Sequence, residues 1–329
     1  MNEFSMSLTQ LQAARELVYR AMPATPQHCW PLLCERLGAQ VWVKHENHTP
    51  TGAFKVRGGL VFFAELADEG SAVTGVISAT RGNHGQSIAF AARARQIPAT
   101  IVVPFGNSRE KNAAMRALGA ELIEYGGDFQ AAREHAAAVA SQRGLSMVPS
   151  FHPALVRGVA SYWLELFEAV PDLDTVYVPI GLGSGACAAI AARDALGLRT
   201  EIVGVTSTGA RSYKLSLERG ELIEAPVSTV LADGMACRIA EPRALEILSA
   251  GLARIVEVSD EQVADAMHAL YVDTHNLAEG AGAAAMAAAS IEVERNRGRR
   301  IGLSLSGANV DHDMFAQILL RSRPEPRVQ

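Results

Sequence analysis

The chain has 329 residues, 49% of them hydrophobic and 20% charged, the composition of an ordinary folded protein with room for one large core or two moderate ones. A formal net charge of −5, a pI near 6.0 and no block of like charges leave no electrostatic footprint for nucleic acid or an anionic membrane, and favour a small-molecule ligand. No apolar run reaches the roughly 18 to 20 residues that span a bilayer, and Met1 to Gln10 lack the basic start and apolar centre of a signal peptide, so a cytoplasmic location is expected.

Along the chain, Leu11, Ala14, Leu17, Val18 and Ala21 recur at helical spacing and predict an amphipathic helix over Thr9 to Met22, stopped by Pro23. Cys29, Cys34, Cys187 and Cys237 show neither a C-x-x-C pair nor histidines at zinc spacing; reduced structural thiols and no metal are expected. From Val41 onward short β-rich runs alternate with Ala-rich helical patterns. Strands are predicted at Val41–Lys44, Gly75–Ser78, Thr100–Val103, Glu121–Tyr125, Thr175–Pro179, Glu201–Thr206, Arg254–Val258 and Ile301–Ser304. Such alternation implies an α/β fold of parallel sheets wound with helices. The Ala-rich stretches 131–140 and 281–290 read as helices, and a last helix is predicted over Asp313–Arg321 before the polar tail Ser322–Gln329. There is no internal repeat and no Pro/Ser linker, so any two domains share a continuous interface.

Four segments carry chemistry. In Thr51–Gly59 one of only four lysines, Lys55, sits beside Phe54 among small residues at the start of a predicted helix; an amine there is a candidate for Schiff-base chemistry. Ser78–Gln86 joins a strand to an Ala-rich helix and gathers Ser78, Thr80, Arg81, Gly82 and His84, donors able to hold a carboxylate or a ring, although a lone histidine is more often structural. Gly181, Leu182, Gly183, Ser184 and Gly185 follow the strand ending at Pro179 and precede a predicted helix from Cys187 to Leu196. Backbone N–H groups converging there suit a phosphate dianion, and without the Gly-Lys-Ser/Thr ending of a nucleotide loop a phosphate monoester fits better than ATP. Ser304–Asp311 closes the last strand with a hydroxyl at Ser306, an ordinary turn when taken alone.

In this order the four segments resemble the fold-type II family of pyridoxal phosphate enzymes, in its threonine dehydratase and serine racemase branch, over about Pro23 to Asp311. The resemblance implies two open, mostly parallel twisted sheets flanked by helices, as in tryptophan synthase β. Residues 1–66 and 152–329 would form a large cofactor-binding domain, residues 67–151 a small substrate-closing domain, and the whole a homodimer. It implies pyridoxal 5'-phosphate bound through Lys55, with Phe54 beside it, Asn83 on the ring hydroxyl, Gly181 to Gly185 on the phosphate, Ser306 facing the pyridine nitrogen, and Glu279 near the ring. Ala232-Asp233-Gly234 matches a turn bordering the site. The implied reaction is β-elimination of water from an L-β-hydroxy-α-amino acid of threonine, serine or phenylserine type, giving a 2-oxo acid and ammonia, with Lys55 as anchor and base. The acid that protonates the leaving hydroxyl stays open between the cofactor phosphate and a neighbouring donor. The alternatives are a dehydratase of hydroxylated compatible-solute catabolism (hydroxyectoine type) and a non-catalytic cofactor-binding protein.

Departures from the family pattern bear on the substrate. Serine racemases resembling this chain have a serine base where Arg81 stands; an arginine stays protonated, so racemisation is expected to be weak. Arg81 would instead pair with the substrate carboxylate, stack on the cofactor ring, or face solvent. Thr206 and Ser212 stand where a divalent cation's carboxylates occur, so no magnesium is expected. Thr49 and Ala53, with His45, His48 and Pro50, make an unusual lead-in to Lys55. The smallness of Ala53 and Gly59, with the flat cation of Arg81, favours a larger or aromatic β-substituent. No regulatory domain is expected after the last helix, as in a catabolic enzyme.

Overall fold

A computed structural model describes residues 4, 6–68 and 73–321. Among the described residues ten strands form two separate sheets. The larger takes β1 (Gln27–Cys29), β2 (Gln40–His45), β7 (Thr175–Pro179), β8 (Glu201–Ser207), β9 (Arg254–Val258) and β10 (Arg300–Leu305), in the order β1-β2-β10-β7-β8-β9. Only the β1–β2 pair is antiparallel. The smaller sheet is wholly parallel, in the order β5-β4-β3-β6, from β3 (Val76–Ala79), β4 (Ala99–Val103), β5 (Glu121–Glu124) and β6 (Ser146–Met147).

Parallel strands need both faces covered, and the helices provide this. The N-terminal part supplies α1 (Leu8–Tyr19), α2 (Pro31–Leu37) and α3 (Lys55–Asp68). The smaller sheet carries α4 (Asn83–Ala94), α5 (Arg109–Ala117) and α6 (Phe129–Arg143). Then come α7 (Pro153–Ala169), α8 (Ser184–Ala195), α9 (Ser212–Arg219), α10 (Pro242–Gly251), α11 (Asp260–Thr274), α12 (Gly280–Ile291), α13 (Val293–Asn296) and α14 (His312–Leu319). On one face of the larger sheet Val41, Val203, Val256 and Leu303 pack with α11 and the alanines of α12; on the other, Val176, Val178 and Ile202 pack with α7 and α8. Alternation along β7 and β8 thus feeds two cores. In the smaller sheet Val76, Ile101 and Val103 meet α4, while Ile77, Ala79 and Val102 meet α6.

All eight predicted strands are present, with ends shifted by at most one residue. Two more, β1 and β6, escaped notice because at three and two residues they are too short to show a period. The first helix stops at Tyr19 rather than Met22, with Arg20 as its cap. The helix expected from Cys187 begins three residues earlier, at Ser184, because the glycine loop turns directly into it. The last helix ends at Leu319, and the tail Ser322–Gln329 lies outside the described residues. All four cysteines are free thiols; the sulfur atoms of Cys29 and Cys34 approach to 3.5 Å, a proximity that spacing did not reveal. Among the described residues no helix is long and apolar enough to cross a membrane.

Candidate active site

The C-terminal ends of β3, β7 and β10 and the start of α3 open onto one cavity between the two sheets, where ligands of open parallel sheets bind. Lys55 is the first residue of α3. Its approach is fixed by backbone bonds: the Ala53 N–H donates to Thr49 Oγ1 at 2.9 Å, the Phe54 N–H to the Ser306 carbonyl at 3.0 Å, and Ala53 forms a bridge with Gly307. The Ser87 hydroxyl donates to the Lys55 carbonyl at 2.6 Å. The Lys55 amine then reaches Ser184 Oγ at 2.8 Å. Burial lowers its pKa to about 8, with no carboxylate beside it to restore the charge, so a large neutral fraction is present near pH 8.

Helix α3 is held from behind by buried charge. Arg57, fully buried, pairs with Glu46 at 2.7 Å and Glu165 at 2.6 Å, and Lys44 reaches Glu165 at 2.6 Å. Burial pushes the Glu165 carboxyl up, but Arg57 and Lys44 outweigh it and hold it low.

The segment 181–185 turns into α8 at Gly183, the helix N-cap, whose φ is +92° and which offers no side-chain capping bond. The first N–H groups of α8 therefore have no capping side chain. A Cβ on Gly181 would lie 2.3 Å from the Gly234 carbonyl and one on Gly183 2.7 Å from Ala244 Cβ, so both positions require glycine. Gly185 differs: a Cβ there would meet Phe54 at an ordinary 3.7 Å. Leu182, Ser184 and Ser306 also line the cavity. The Ser306 hydroxyl makes no hydrogen bond among the described residues, while its carbonyl anchors Phe54.

On the opposite wall Thr80, Arg81, Gly82, Asn83 and His84 line the cavity. Thr80 Oγ1 accepts from the Gly82 N–H at 3.0 Å, which shapes the loop. Ser78 is a correction to the expected set: its hydroxyl donates to the Val148 carbonyl at 2.8 Å, tying β3 to the chain beyond β6, and it does not line the cavity. His84 is buried and its pKa falls to about 3 through burial and the charge on Lys55; this neutral imidazole leaves Nε2 without a hydrogen-bond partner. The Arg81 guanidinium makes no ion pair or hydrogen bond among the described residues. Asn83 is held on both sides, donating to Glu279 Oε1 at 2.5 Å and accepting from Asn309 at 2.9 Å.

Ala53 and Gly59 do not enlarge the cavity. Ala53 is buried in its bridge to Gly307, and a Cβ on Gly59 would strike Ser87 Oγ at 2.3 Å, so close packing explains their size. Thr206 is buried with Oγ1 unpartnered, and the Ser212 hydroxyl donates to the Cys237 carbonyl. Of the cavity residues that went unassigned in the sequence, three bear on its chemistry. Lys111 pairs with Asp233 at 2.7 Å and Glu279 at 3.3 Å, and Cys237 lies near Lys55 and Arg81 with its thiol pushed up to about 11 by burial. Phe129 adds an apolar wall from the start of α6. Lys111 had one signal, its rarity among four lysines; Cys237 and Phe129 had none.

The model of the pyridoxal-phosphate dependent enzyme family matches residues 19–307. The chain belongs to this family. It is similar to an L-threonine ammonia-lyase of Geobacter sulfurreducens, 35% identical over 279 residues, covering 84% of this chain and 69% of the relative. A putative threonine dehydratase of Sinorhizobium fredii is 32% identical over 323 residues and covers 97% of each. Among solved structures, the processed form of threonine deaminase isoform 2 from Solanum lycopersicum superposes with a TM-score of 0.86 at 28% identity, covering 94% of this chain and 92% of that one.

The residues present fit the family's cofactor. An amine with a lowered pKa stands one hydroxyl away from a glycine-lined helix N-terminus without a capping side chain, which together suit an aldehyde and a phosphate on one molecule. Lys55 would hold the aldehyde end, the loop 181–185 the phosphate, Phe54 the flank of the ring, and Asn83 and Ser306 its polar edges.

Proposed function

We propose that this chain is a pyridoxal phosphate-dependent dehydratase that eliminates water from an L-β-hydroxy-α-amino acid of the threonine, serine or phenylserine type, releasing a 2-oxo acid and ammonia. The observation that carries the reading is the Lys55 amine, buried without an acidic partner and 2.8 Å from the first residue of α8. The names of the two relatives described above agree with it.

When bound, the cofactor supplies an electron sink that acidifies the substrate Cα–H. The chain supplies the rest. Lys55, once free, is the base that takes the Cα proton at Nζ. The α4 N-terminus, capped only by Gly82, and the unpaired Arg81 guanidinium favour the substrate carboxylate. The neutral Ser306 hydroxyl moderates the pull on electrons at its edge of the cavity. Loss of the Cα proton and the β-hydroxyl gives an enamine; after tautomerisation, water hydrolyses it to the oxo acid and ammonia.

The apolar wall of Phe54, Phe129, Leu182 and Met235 supports a bulky or aromatic β-substituent. In the same reading residues 67–151 close over substrate held by 1–66 and 152–329, and the enzyme is a cytoplasmic homodimer. The test is a visible absorbance scan of the purified protein with added pyridoxal phosphate, followed by 2-oxo acid detection with serine, threonine and phenylserine. A band and oxo acid are expected, with the higher kcat/KM for phenylserine. A clear preference for threonine removes the aromatic assignment, and no band removes the reaction.

A further inference from the structure

Helix α5 belongs to the smaller sheet, yet its start is bound to the other side of the cleft. Its N-cap Ser108 accepts the Lys111 N–H and donates to Asp311 at 2.6 Å; the Glu110 N–H donates to the same carboxylate at 3.1 Å. Anchored in this way, α5 sends Lys111 inward. The side chain is 5% exposed, and its ammonium lies between Asp233 and Glu279, both from the part of the chain that carries the larger sheet. Its stem passes against Gly82, where an added Cβ would lie 2.3 Å from Lys111 Cδ. Gly82 needs glycine on two counts, its φ of +153° and the Lys111 stem lying against it.

Glu279 depends on this contact. Its Oε1 accepts from Asn83, and its Oε2 has no aligned hydrogen bond, only the Lys111 ammonium 3.3 Å away. Burial drives this carboxyl toward its neutral form and the Asp233 charge adds to it; Lys111 opposes both without cancelling them, so the pKa stays above the ordinary carboxylate value and the charged form depends on that one cation. Asn83 in turn is locked: one amide hydrogen goes to Glu279 and its oxygen accepts from Asn309, leaving one N–H for whatever fills the cavity. A protonated Glu279 would carry an O–H that can donate to Asn83 Oδ1 and so favour the turned-over amide.

We propose that Lys111 is a positioning residue: seated across the cleft between Asp233 and Glu279, it sets its ammonium against Glu279 Oε2, holds that side chain on Asn83, and thereby fixes which face of the Asn83 amide the cavity receives. Lys111 touches neither reacting atom nor base; it acts through Glu279 and Asn83. Docking of the smaller sheet's unit and the polarity of the cofactor cavity are then one event. This rests on the pyridoxal phosphate reading.

The experiment compares wild type, Lys111→Met, Glu279→Gln and the double variant by spectrophotometric titration with pyridoxal phosphate, by the pH dependence of the bound visible band, and by Tm of the apoproteins. Lys111→Met is expected to weaken cofactor binding at least about tenfold, because it leaves a buried carboxylate unpaired. It should also bring a new ionisation into the band's pH profile. Adding Glu279→Gln should recover much of the loss and remove that ionisation, since the neutral amide still accepts from Asn83 and needs no cation. Fully additive losses in the double variant, or a Lys111→Met enzyme within about twofold of wild type in affinity and with an unchanged profile, overturn the assignment. Should Lys111→Met not fold, Lys111→Gln carries the same comparison with the stem packing kept. If wild type itself binds no pyridoxal phosphate, the cofactor reading fails first; if it binds and the variants are additive, only the role of Lys111 fails.

Discussion

Lys55 Nζ stands 2.8 Å from Ser184 Oγ, so the first residue of α3 meets the first residue of α8 across 129 positions of sequence. One contact thereby joins the amine and the anion-binding helix end, each brought by a different strand of the larger sheet. The partner is a neutral hydroxyl, so nothing in the pair favours the ammonium over the amine.

Replacing Lys55 by alanine removes both anchor and base. The visible band of the covalently held cofactor should vanish, and oxo acid formation should fall by on the order of 10³-fold or more. Absorbance and coupled product assays check this, and a variant that kept its activity would displace Lys55 from the reaction.

The lowered pKa of Lys55 has two pH consequences. Its ordinary value of 10.5 drops to about 8 on folding, so between these values the unfolded chain binds more protons. The stability penalty is therefore complete below pH 8 and fades as pH rises toward 10.5. Apoprotein of Lys55→Met should be more stable than wild type at pH 7, by about 1 kcal/mol since the residue is only half-buried, and the gap should close above pH 8. Cofactor loading of wild-type apoprotein should accelerate as pH rises to about 8 and then level off, a stopped-flow measurement.

Arg81→Ser removes the cation without an acidic partner in the cavity. If Arg81 grips the substrate carboxylate, KM rises roughly 10- to 100-fold with a smaller change in kcat, the size of one charge-assisted hydrogen bond. A KM equal to that of wild type would leave Arg81 facing solvent. Wild type should also leave L-serine unracemised by chiral chromatography, because the guanidinium cannot serve as a base.

Gly183→Ala places a Cβ at a φ of +92° and 2.7 Å from Ala244 Cβ. Ala244 is itself buried in the core, so strain of about 1–3 kcal/mol should lower the apoprotein Tm, and because the strained turn is the phosphate loop, phosphate-bearing cofactor should also bind roughly 10- to 100-fold more weakly. Gly185→Ala, where the contact is an ordinary 3.7 Å, is the control and should behave nearly as wild type.

Arg57→Met leaves Glu46 and Glu165 buried without their shared cation, although Lys44 still reaches Glu165. A loss of about 3–5 kcal/mol in chemical denaturation is expected. A cost near zero would show that the two carboxylates simply take up protons.

Much of this site was readable in advance because its parts are local. The turn before Lys55, the loop 181–185 and the strand-to-helix step at Thr80–Asn83 each lie in one short segment whose glycines and small residues announce a close backbone approach. What stayed hidden depends on distance through space. Nothing near Lys111 in sequence shows that it will meet Asp233 and Glu279, and Ser78 resembles Thr80 until β6 pairs beside it and Val148 claims its hydroxyl. Ala53 and Gly59 misled for the same reason: a small side chain can make room for a ligand or for a neighbouring backbone, and only the neighbour's position decides.

The place of β10 carries a consequence for how the molecule comes into being. It lies between β2 and β7, and the carbonyls of Ser306 and Gly307 just beyond it accept from the Phe54 and Glu279 N–H groups. During synthesis the ribosome delivers the amine-bearing turn early and the strand that aligns it late. A nascent chain that has already made β9 holds the larger sheet as two unjoined parts, β1-β2 and β7-β8-β9. Competence to capture cofactor thus waits on β10, when one central strand enters the gap between β2 and β7.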